Sequence, residues 1–251
     1  MFGTRYWSYP RLVAHRAGGT LAPENTLRGF ALAESLGCRM VEVDAMLTRD
    51  GVLILSHDEQ LGRAIEGEGR VGDRTYLEMS RLDAGVRFGP DYRGERVCRL
   101  DRAIEWSIEH DIAMNIEIKP CSGEEVRTAR ELAAMVTRYY DGDRAPLPLI
   151  SSFSLESLRQ MQMLAPRFPR GILFERLPDD WEQLARSLDV VAVHPNYREI
   201  TQDMVLRAHA NGWGVMCYTV DDAKTASKLL AMGVDAVCTN RMDLLQPIVV
   251  G

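Results

Sequence analysis

The chain has 251 residues, 46% of them hydrophobic and 26% charged, with 20 Gly and 11 Pro. That composition excludes a disordered chain, a collagen-like repeat and a disulfide scaffold, and the length suits one large domain or two small ones. The 30 basic and 36 acidic residues leave a net charge of −6 with no Lys/Arg run, which argues against nucleic acid or an anionic membrane as a partner.

In chain order, the first ten residues contain no apolar stretch of signal-peptide length, and no later segment approaches the ~18 apolar residues of a membrane span. A cytoplasmic protein without stable membrane association is therefore expected. Short aliphatic or β-branched runs bounded by Gly, Pro, Asp or Asn predict strands at 11–15, 40–47, 52–56, 113–119, 149–152, 171–174, 190–194, 214–218 and 234–238. Amphipathic stretches predict helices at 25–36, 101–110, 124–140, 155–164, 180–188, 201–210 and 221–231. In the first of these, Leu27, Phe30, Ala31 and Leu32 gather at helical spacing. Gly37, Gly212 and Gly233 each stand between a predicted helix and the next strand, where glycine forms a left-handed cap without steric cost.

Alternating strands and helices call for a parallel sheet covered by helices. The exception is 52–56, reached across Thr48-Arg49-Asp50-Gly51, a hairpin signal. Residues 58–99, rich in Gly, Arg and Asp, break the alternation and read as an inserted element or lid. No linker divides the chain. The expectation is one α/β barrel domain over 1–251 with an insertion at 58–99, ahead of an open doubly wound sheet. The five cysteines, Cys38, Cys98, Cys121, Cys217 and Cys238, form no C-x-x-C pair. Several lie in apolar runs, as reduced, buried thiols of a reducing compartment would.

In such a barrel, polar residues at the carboxyl ends of strands meet in the active site. The first predicted strand ends at His15-Arg16, and the short third one at His57-Asp58. Glu42 and Asp44 share one face of the second strand while Val41 and Val43 take the other, because strand side chains alternate. Glu117 and Lys119 repeat the device on the fourth. Carboxylates converging in an apolar interior repel one another unless a cation lies between them, and oxygen-only ligands favour Mg²⁺ or Ca²⁺. Histidines nearby would suit proton transfer at neutral pH. An exposed strand edge, a Glu117–Lys119 ion pair and hydrogen-bonded core histidines are the alternative readings of these residues.

His15-Arg16, Ala22-Pro23-Glu24-Asn25-Thr26, Glu42-x-Asp44, Thr48-Arg49-Asp50-Gly51, His57-Asp58 and Asn115-Ile116-Glu117-Ile118-Lys119-Pro120 resemble, in order and spacing, the glycerophosphodiester phosphodiesterase family. The likeness continues through Ser151-Ser152-Phe153 and Gly233-Val234-Asp235-Ala236-Val237-Cys238-Thr239. It implies a TIM barrel with a small insertion after the second strand. It also implies hydrolysis of a small glycerophosphodiester to sn-glycerol 3-phosphate and an alcohol. Glu42, Asp44 and Glu117 would hold a divalent metal, His15 and His57 would form the acid–base pair, and Arg16 and Lys119 would neutralise the phosphate.

Three positions depart from the family pattern. Ala17 stands where Gly usually follows His-Arg, Asn240 where Thr-Asp is common, and Cys98 where Pro is common. Ala17 is expected to reshape its loop, since alanine disfavours positive φ. Phe153, His194 and Tyr218 each end a predicted strand; Phe153 and Tyr218 are taken as substrate-binding, with core packing as the alternative. His110 and His209 are expected to face solvent from helices, and Trp106, Trp181 and Trp213 to pack helices or loops. Two other functions compete: phospholipase D-like action on lysophospholipids or sphingomyelin, and a non-catalytic barrel that binds a phosphorylated metabolite. The alcohol, the oligomeric state, the choice of Mg²⁺ or Ca²⁺, the division of base and acid between His15 and His57, and water or a glycerol hydroxyl as the attacking group are left open by these residues.

Overall fold

The computed structural model describes residues 6–142 and 146–249, so the first five residues of the amino-terminal segment lie outside it. Nine strands form one sheet: β1 (Leu12–Ala14), β2 (Met40–Leu47), β3 (Leu53–Leu55), β4 (Ala113–Ile118), β5 (Leu149–Ser152), β6 (Arg170–Phe174), β7 (Ala192–Pro195), β8 (Gly214–Cys217) and β9 (Ala236–Thr239). All nine predicted strands are present, with no end moved by more than two residues. Every strand except β3 pairs parallel with its neighbours, and β1 pairs with both β2 and β9, which closes an eight-stranded TIM barrel. β3 lies antiparallel on the end of β2, with Ala45 opposite Leu55 and Leu47 opposite Leu53. The Thr48–Gly51 turn makes that hairpin, with Gly51 at φ 84.

The helices follow the same alternation: α1 (Leu27–Ser35), α2 (Tyr76–Met79), α3 (Leu100–Glu109), α4 (Glu125–Tyr139), α5 (Leu155–Leu164), α6 (Trp181–Ser187), α7 (Gln202–Ala210), α8 (Ala223–Ala231) and α9 (Met242–Val249). Thr26, Ser154, Thr201 and Asp222 cap α1, α5, α7 and α8 by accepting a backbone N–H three residues on. Gly37 and Gly233 take φ 80 and 97, as their positions before a strand predict. Two helices go beyond those that periodicity predicts. α9 contains Pro247, which lowers helical propensity, yet its Met242, Leu245 and Val249 are buried. α2 is four residues long, too short for periodicity to reveal, and is held by a Thr75/Glu78 capping box.

The parallel strands send alternate side chains to two cores. Val41, Val43, Ile116, Ile118, Ile150, Ile172, Val193, Val215 and Val237 point outward under the helices. Val13, Met40, Ala113, Leu149, Ala192 and Ala236 point inward with Trp7 and Tyr9, filling the amino-terminal end of the barrel. That packing leaves the carboxyl end as the place for polar groups. The insertion has a third core, Ile65, Val71, Met79, Ala84 and Val97 against Met46 and Ile54, so it is an ordered cover beside the barrel mouth. All five cysteines are free and buried. Among the described residues no helix is long and apolar enough to cross a membrane.

Candidate active site

The β2–β4 register sets the centre of the site. Asp44 is the direct partner of Glu117 and Glu42 of Asn115, so side chains on the inner face of the two strands stand side by side. Glu42, Asp44 and Glu117 are buried, and one carboxylate oxygen from each lies within 4.8 Å of the others. Burial, with Asp44 and Glu117 alongside, pushes the Glu42 carboxyl well above its ordinary range. Burial and Asp44 likewise push Glu117 up to about 7, against the pull of Lys119. Glu42 Oε1 is buried and has no hydrogen-bond donor among the described residues. Three crowded carboxylates with an oxygen left over are unfavourable alone and complementary to a hard divalent cation, so this donor set fits one.

His15 and His57 flank the carboxylates. His15 Nε2 is 4.0 Å from Glu42 Oε2, and its Nδ1 is 2.7 Å from Asn240 Oδ1. Asn240 donates Nδ2–H to Asp221 over 2.9 Å, and its backbone N–H goes to the same carboxylate over 2.7 Å. A carboxylate can only accept, so Asp221 turns the Asn240 amide nitrogen toward itself and leaves the oxygen facing the ring. The hydrogen therefore sits on His15 Nδ1, and Nε2 presents its lone pair to the site. His57 has a charged partner instead: Nδ1 is 2.7 Å from Asp58 Oδ1, while Nε2 lies 2.9 Å from Lys119 Nζ. Burial lowers both imidazoles below their ordinary value, helped by Arg16 at His15 and by Lys119 and Arg16 at His57.

Arg16 follows β1 in a left-handed turn, with φ 48 at Arg16 and 59 at Ala17. Ala17 takes the positive φ that alanine disfavours, at a cost of roughly 1 kcal/mol, so the loop is not reshaped to avoid it. The turn is fixed by the Arg16 N–H donating to Glu42 Oε2 (2.8 Å) and the Ala17 N–H to the Glu42 carbonyl (3.0 Å). The Arg16 guanidinium lies 3.2 Å from Glu24 and 3.7 Å from Asp44. Asn25, expected to open the first helix, lies outside it at φ 58. Its amide donates to Asp44 Oδ2 over 2.8 Å and accepts the Asp44 N–H over 3.1 Å, which sets the angle of that carboxylate. Lys119, one residue beyond β4, pairs with Glu117 at 3.3 Å and lies 5.7 Å from the Phe153 ring centroid.

All nine expected site residues line or border one cavity of about 270 Å³. Its far wall comes from the ends of β5, β6 and β8: Phe153, Leu173, Glu175, Met216 and Tyr218. Phe153 is 41% exposed, which sets it apart from the core. It meets Tyr218 edge-on at 5.9 Å, and the Tyr218 hydroxyl donates to the Phe174 carbonyl over 3.0 Å.

His194 differs from its expected place in a pocket or turn. It lies within β7, fully buried beneath the cavity, where burial lowers it to about 3 and keeps it neutral. His209, expected to face solvent, is bonded to the buried Asp235 over 2.8 Å, and His110 stacks on Trp106 with Glu34 3.1 Å away. Trp181 and Trp213 pack edge-to-face in the core as expected. Asn25, Asp221, Glu175 and the part taken by Asn240 are not evident from the sequence pattern. The motif around Asn25 and the Asn240 departure are the only signals pointing to them.

Residues 15–244 match the glycerophosphoryl diester phosphodiesterase family. A glycerophosphodiester phosphodiesterase of Caldanaerobacter subterraneus is 33% identical over 235 residues, 93% of this chain and 95% of that protein. One of Bacillus subtilis is 30% identical over 257 residues, 94% and 85% of the two chains. The solved structure of an Oleispira antarctica phosphodiesterase, in complex with the product sn-glycerol-3-phosphate, superimposes with a TM-score of 0.92. It is 31% identical and covers 96% of this chain and 97% of its own.

Proposed function

The chain belongs to the glycerophosphoryl diester phosphodiesterase family and is an enzyme of it, and from that premise we propose that it hydrolyses glycerophosphodiesters to sn-glycerol 3-phosphate and an alcohol. The carrying observation is a buried carboxylate trio between two histidines with unlike partners, in one cavity with Arg16 and Lys119. The product bound to the Oleispira relative supports the choice of substrate. Glu42, Asp44 and Glu117 would hold a divalent cation, Mg²⁺ or Ca²⁺. When bound, such an ion offsets the negative charge of the phosphoryl oxygens.

The phosphodiester anion is received by Arg16 and Lys119. Arg16 offers a planar fork of donors, and Lys119 a compact ammonium that leaves His57 Nε2 for the phosphate. His15 is the base: its Nδ1 is tied to a neutral amide, so the ring starts unprotonated with Nε2 free to take a proton from the attacking oxygen. His57 is the acid. Asp58 behind Nδ1 stabilises an imidazolium, and the arriving phosphate both adds negative charge and draws Lys119 away. The protonated Nε2 then gives its hydrogen to the departing alkoxide. Phe153 and Tyr218 form the wall against which an organic substituent of the diester rests.

Release of sn-glycerol 3-phosphate from glycerophosphocholine and glycerophosphoethanolamine, followed by a coupled dehydrogenase assay, tests this reading. Activity should vanish with EDTA and return with Mg²⁺ or Ca²⁺. Absence of release from any glycerophosphodiester under any divalent cation would falsify it.

A further inference from the structure

Arg63 has no part in the reaction as described, yet its guanidinium joins two separate sides of the site. Both terminal nitrogens bind Glu24 in the loop after β1, Nη1 to Oε2 at 2.7 Å and Nη2 to Oε1 at 2.6 Å. Its Nε donates to Asp58 Oδ2, beyond β3. Each carboxylate has a second partner that faces the cavity: Glu24 accepts from Arg16 Nη1 at 3.2 and 3.3 Å, and Asp58 Oδ1 meets His57 Nδ1 at 2.7 Å. One cation from the first turn of the insertion thus stands behind both the phosphate-binding arginine and the histidine assigned as acid.

An exposed ion pair would be worth little. Here the geometry is a planar fork on one carboxylate with a third donor on another, which a lysine or a mobile surface arginine cannot reproduce. Glu24 and Asp58 are more enclosed than Arg63, at 17% and 29% against 52% side-chain exposure, so their orientation matters to the cavity. Burial pushes both carboxyls up, and the bonds from Arg63, with Arg16 beside Glu24 and His57 beside Asp58, bring both below their ordinary range. Without the guanidinium, Asp58 could turn away from His57. Glu24 would be left to Arg16 alone, tightening that pair and holding Arg16 off an incoming anion.

We propose that Arg63 is a positioning residue for the reaction: it holds Asp58 against His57 and shares Glu24 with Arg16 so that this pair stays loose, and it is how the insertion takes part in chemistry at the barrel mouth. The first half rests on the reading of His57 as acid.

The test compares glycerophosphocholine with the p-nitrophenyl diester of glycerol 3-phosphate, whose leaving group departs without a proton. Arg63→Gln should lower kcat on the choline diester by about tenfold or more, a share of the ~10²–10⁴ that acid–base catalysis contributes. It should lower kcat far less on the nitrophenyl diester, and raise KM on both through Arg16. Arg63→Lys, which keeps the charge and loses the fork, should fall between and guards against a folding defect in the glutamine variant. Asp58→Asn should cost much in the parent and little in Arg63→Gln, because the two act through one bond network. Equal losses of kcat on both diesters with unchanged KM, or Asp58 and Arg63 effects that simply multiply, would overturn the role of Arg63. His57→Ala separates the two readings. If it loses activity equally on both diesters, His57 is not the acid, and the Asp58–Arg63 coupling alone then decides whether Arg63 positions His57.

Discussion

The cavity wall built from β1, β2 and β4 carries three carboxylates, Arg16 and Lys119, and the hairpin beside it brings His57. The wall from β5 to β8 presents Phe153, Leu173, Met216 and Tyr218, and among the described residues lining it only Glu175 is charged. The two walls are also held differently. On the charged side nearly every functional group has a dedicated partner: Asn25 for Asp44, Asn240 for His15, Asp58 for His57, Glu24 for Arg16. On the other side the rings are held by packing and by the Tyr218 hydroxyl, which lies between the Phe174 carbonyl and Glu175. A charged group in a low-dielectric pocket must be oriented to be effective, whereas an apolar contact needs only to exclude water. The asymmetry matches a diester, whose phosphate is the same in every substrate and whose alcohol is not.

The sharpest way to break that comparison is at the carboxylates. Glu42→Gln and Asp44→Asn should each lower kcat/KM by roughly 10³ or more, the scale of removing a group that stabilises transition-state charge. Calorimetric titration should show divalent binding lost in the same variants. In EDTA, Glu42→Gln should melt higher than the parent, because it removes a carboxyl whose ionisation burial and Asp44 oppose. Tight cation binding by either variant would mean that the trio is not the site.

A smaller effect is expected from pH. Without a cation, folding raises the Glu117 carboxyl from 4.5 to about 7. Between those values the native state keeps a proton that the unfolded state has released, so stability falls as pH rises through that window. The melting temperature in EDTA should decline across it, more steeply in the parent than in Glu117→Gln. A saturating divalent cation should reverse the trend, since binding displaces the proton. Equal slopes in parent and variant would show that Glu117 does not share its proton in this way.

The apolar wall should respond least. Phe153→Ala is expected to raise KM roughly three- to tenfold, the scale of one aromatic contact, with cation affinity unchanged. A large loss of kcat instead would mean that the ring orders Lys119, which lies 5.7 Å from it, rather than the organic part of the substrate.

Much of the charged wall is legible in the amino-acid sequence. Glu42 and Asp44 alternate with Val41 and Val43, and Glu117 with Ile116 and Ile118, and period-two alternation places such residues on one face whatever the fold. The nine strands are legible as short aliphatic or β-branched runs bounded by Gly, Pro, Asp or Asn. What the sequence hides is chiefly non-periodic. Asn25 looks like a helix residue because the apolar spacing of α1 begins next to it, yet it takes φ 58 and turns to Asp44. Helix α9 is masked by Pro247, whose local cost is overridden by three buried side chains. His209 stands four residues after the buried Val205, so it borders the apolar face of α7, and its partner Asp235, 26 positions away, becomes visible only in the fold.

The length and charge of the chain point away from polyanionic partners, and its alternation of strands and helices calls for a helix-covered parallel sheet with acidic groups near the strand ends. Those are local or global sums, and a sequence carries them directly. Tertiary structure alone decided which groups far apart in the chain work in pairs. The β2–β4 register put Asp44 opposite Glu117, barrel closure brought Asn240 to His15 across 225 positions, and the insertion returned Arg63 to Glu24 across 39. Hydrogen bonds and Coulomb interactions act over a few ångströms of space, and distance along the chain says nothing about them until the barrel has closed.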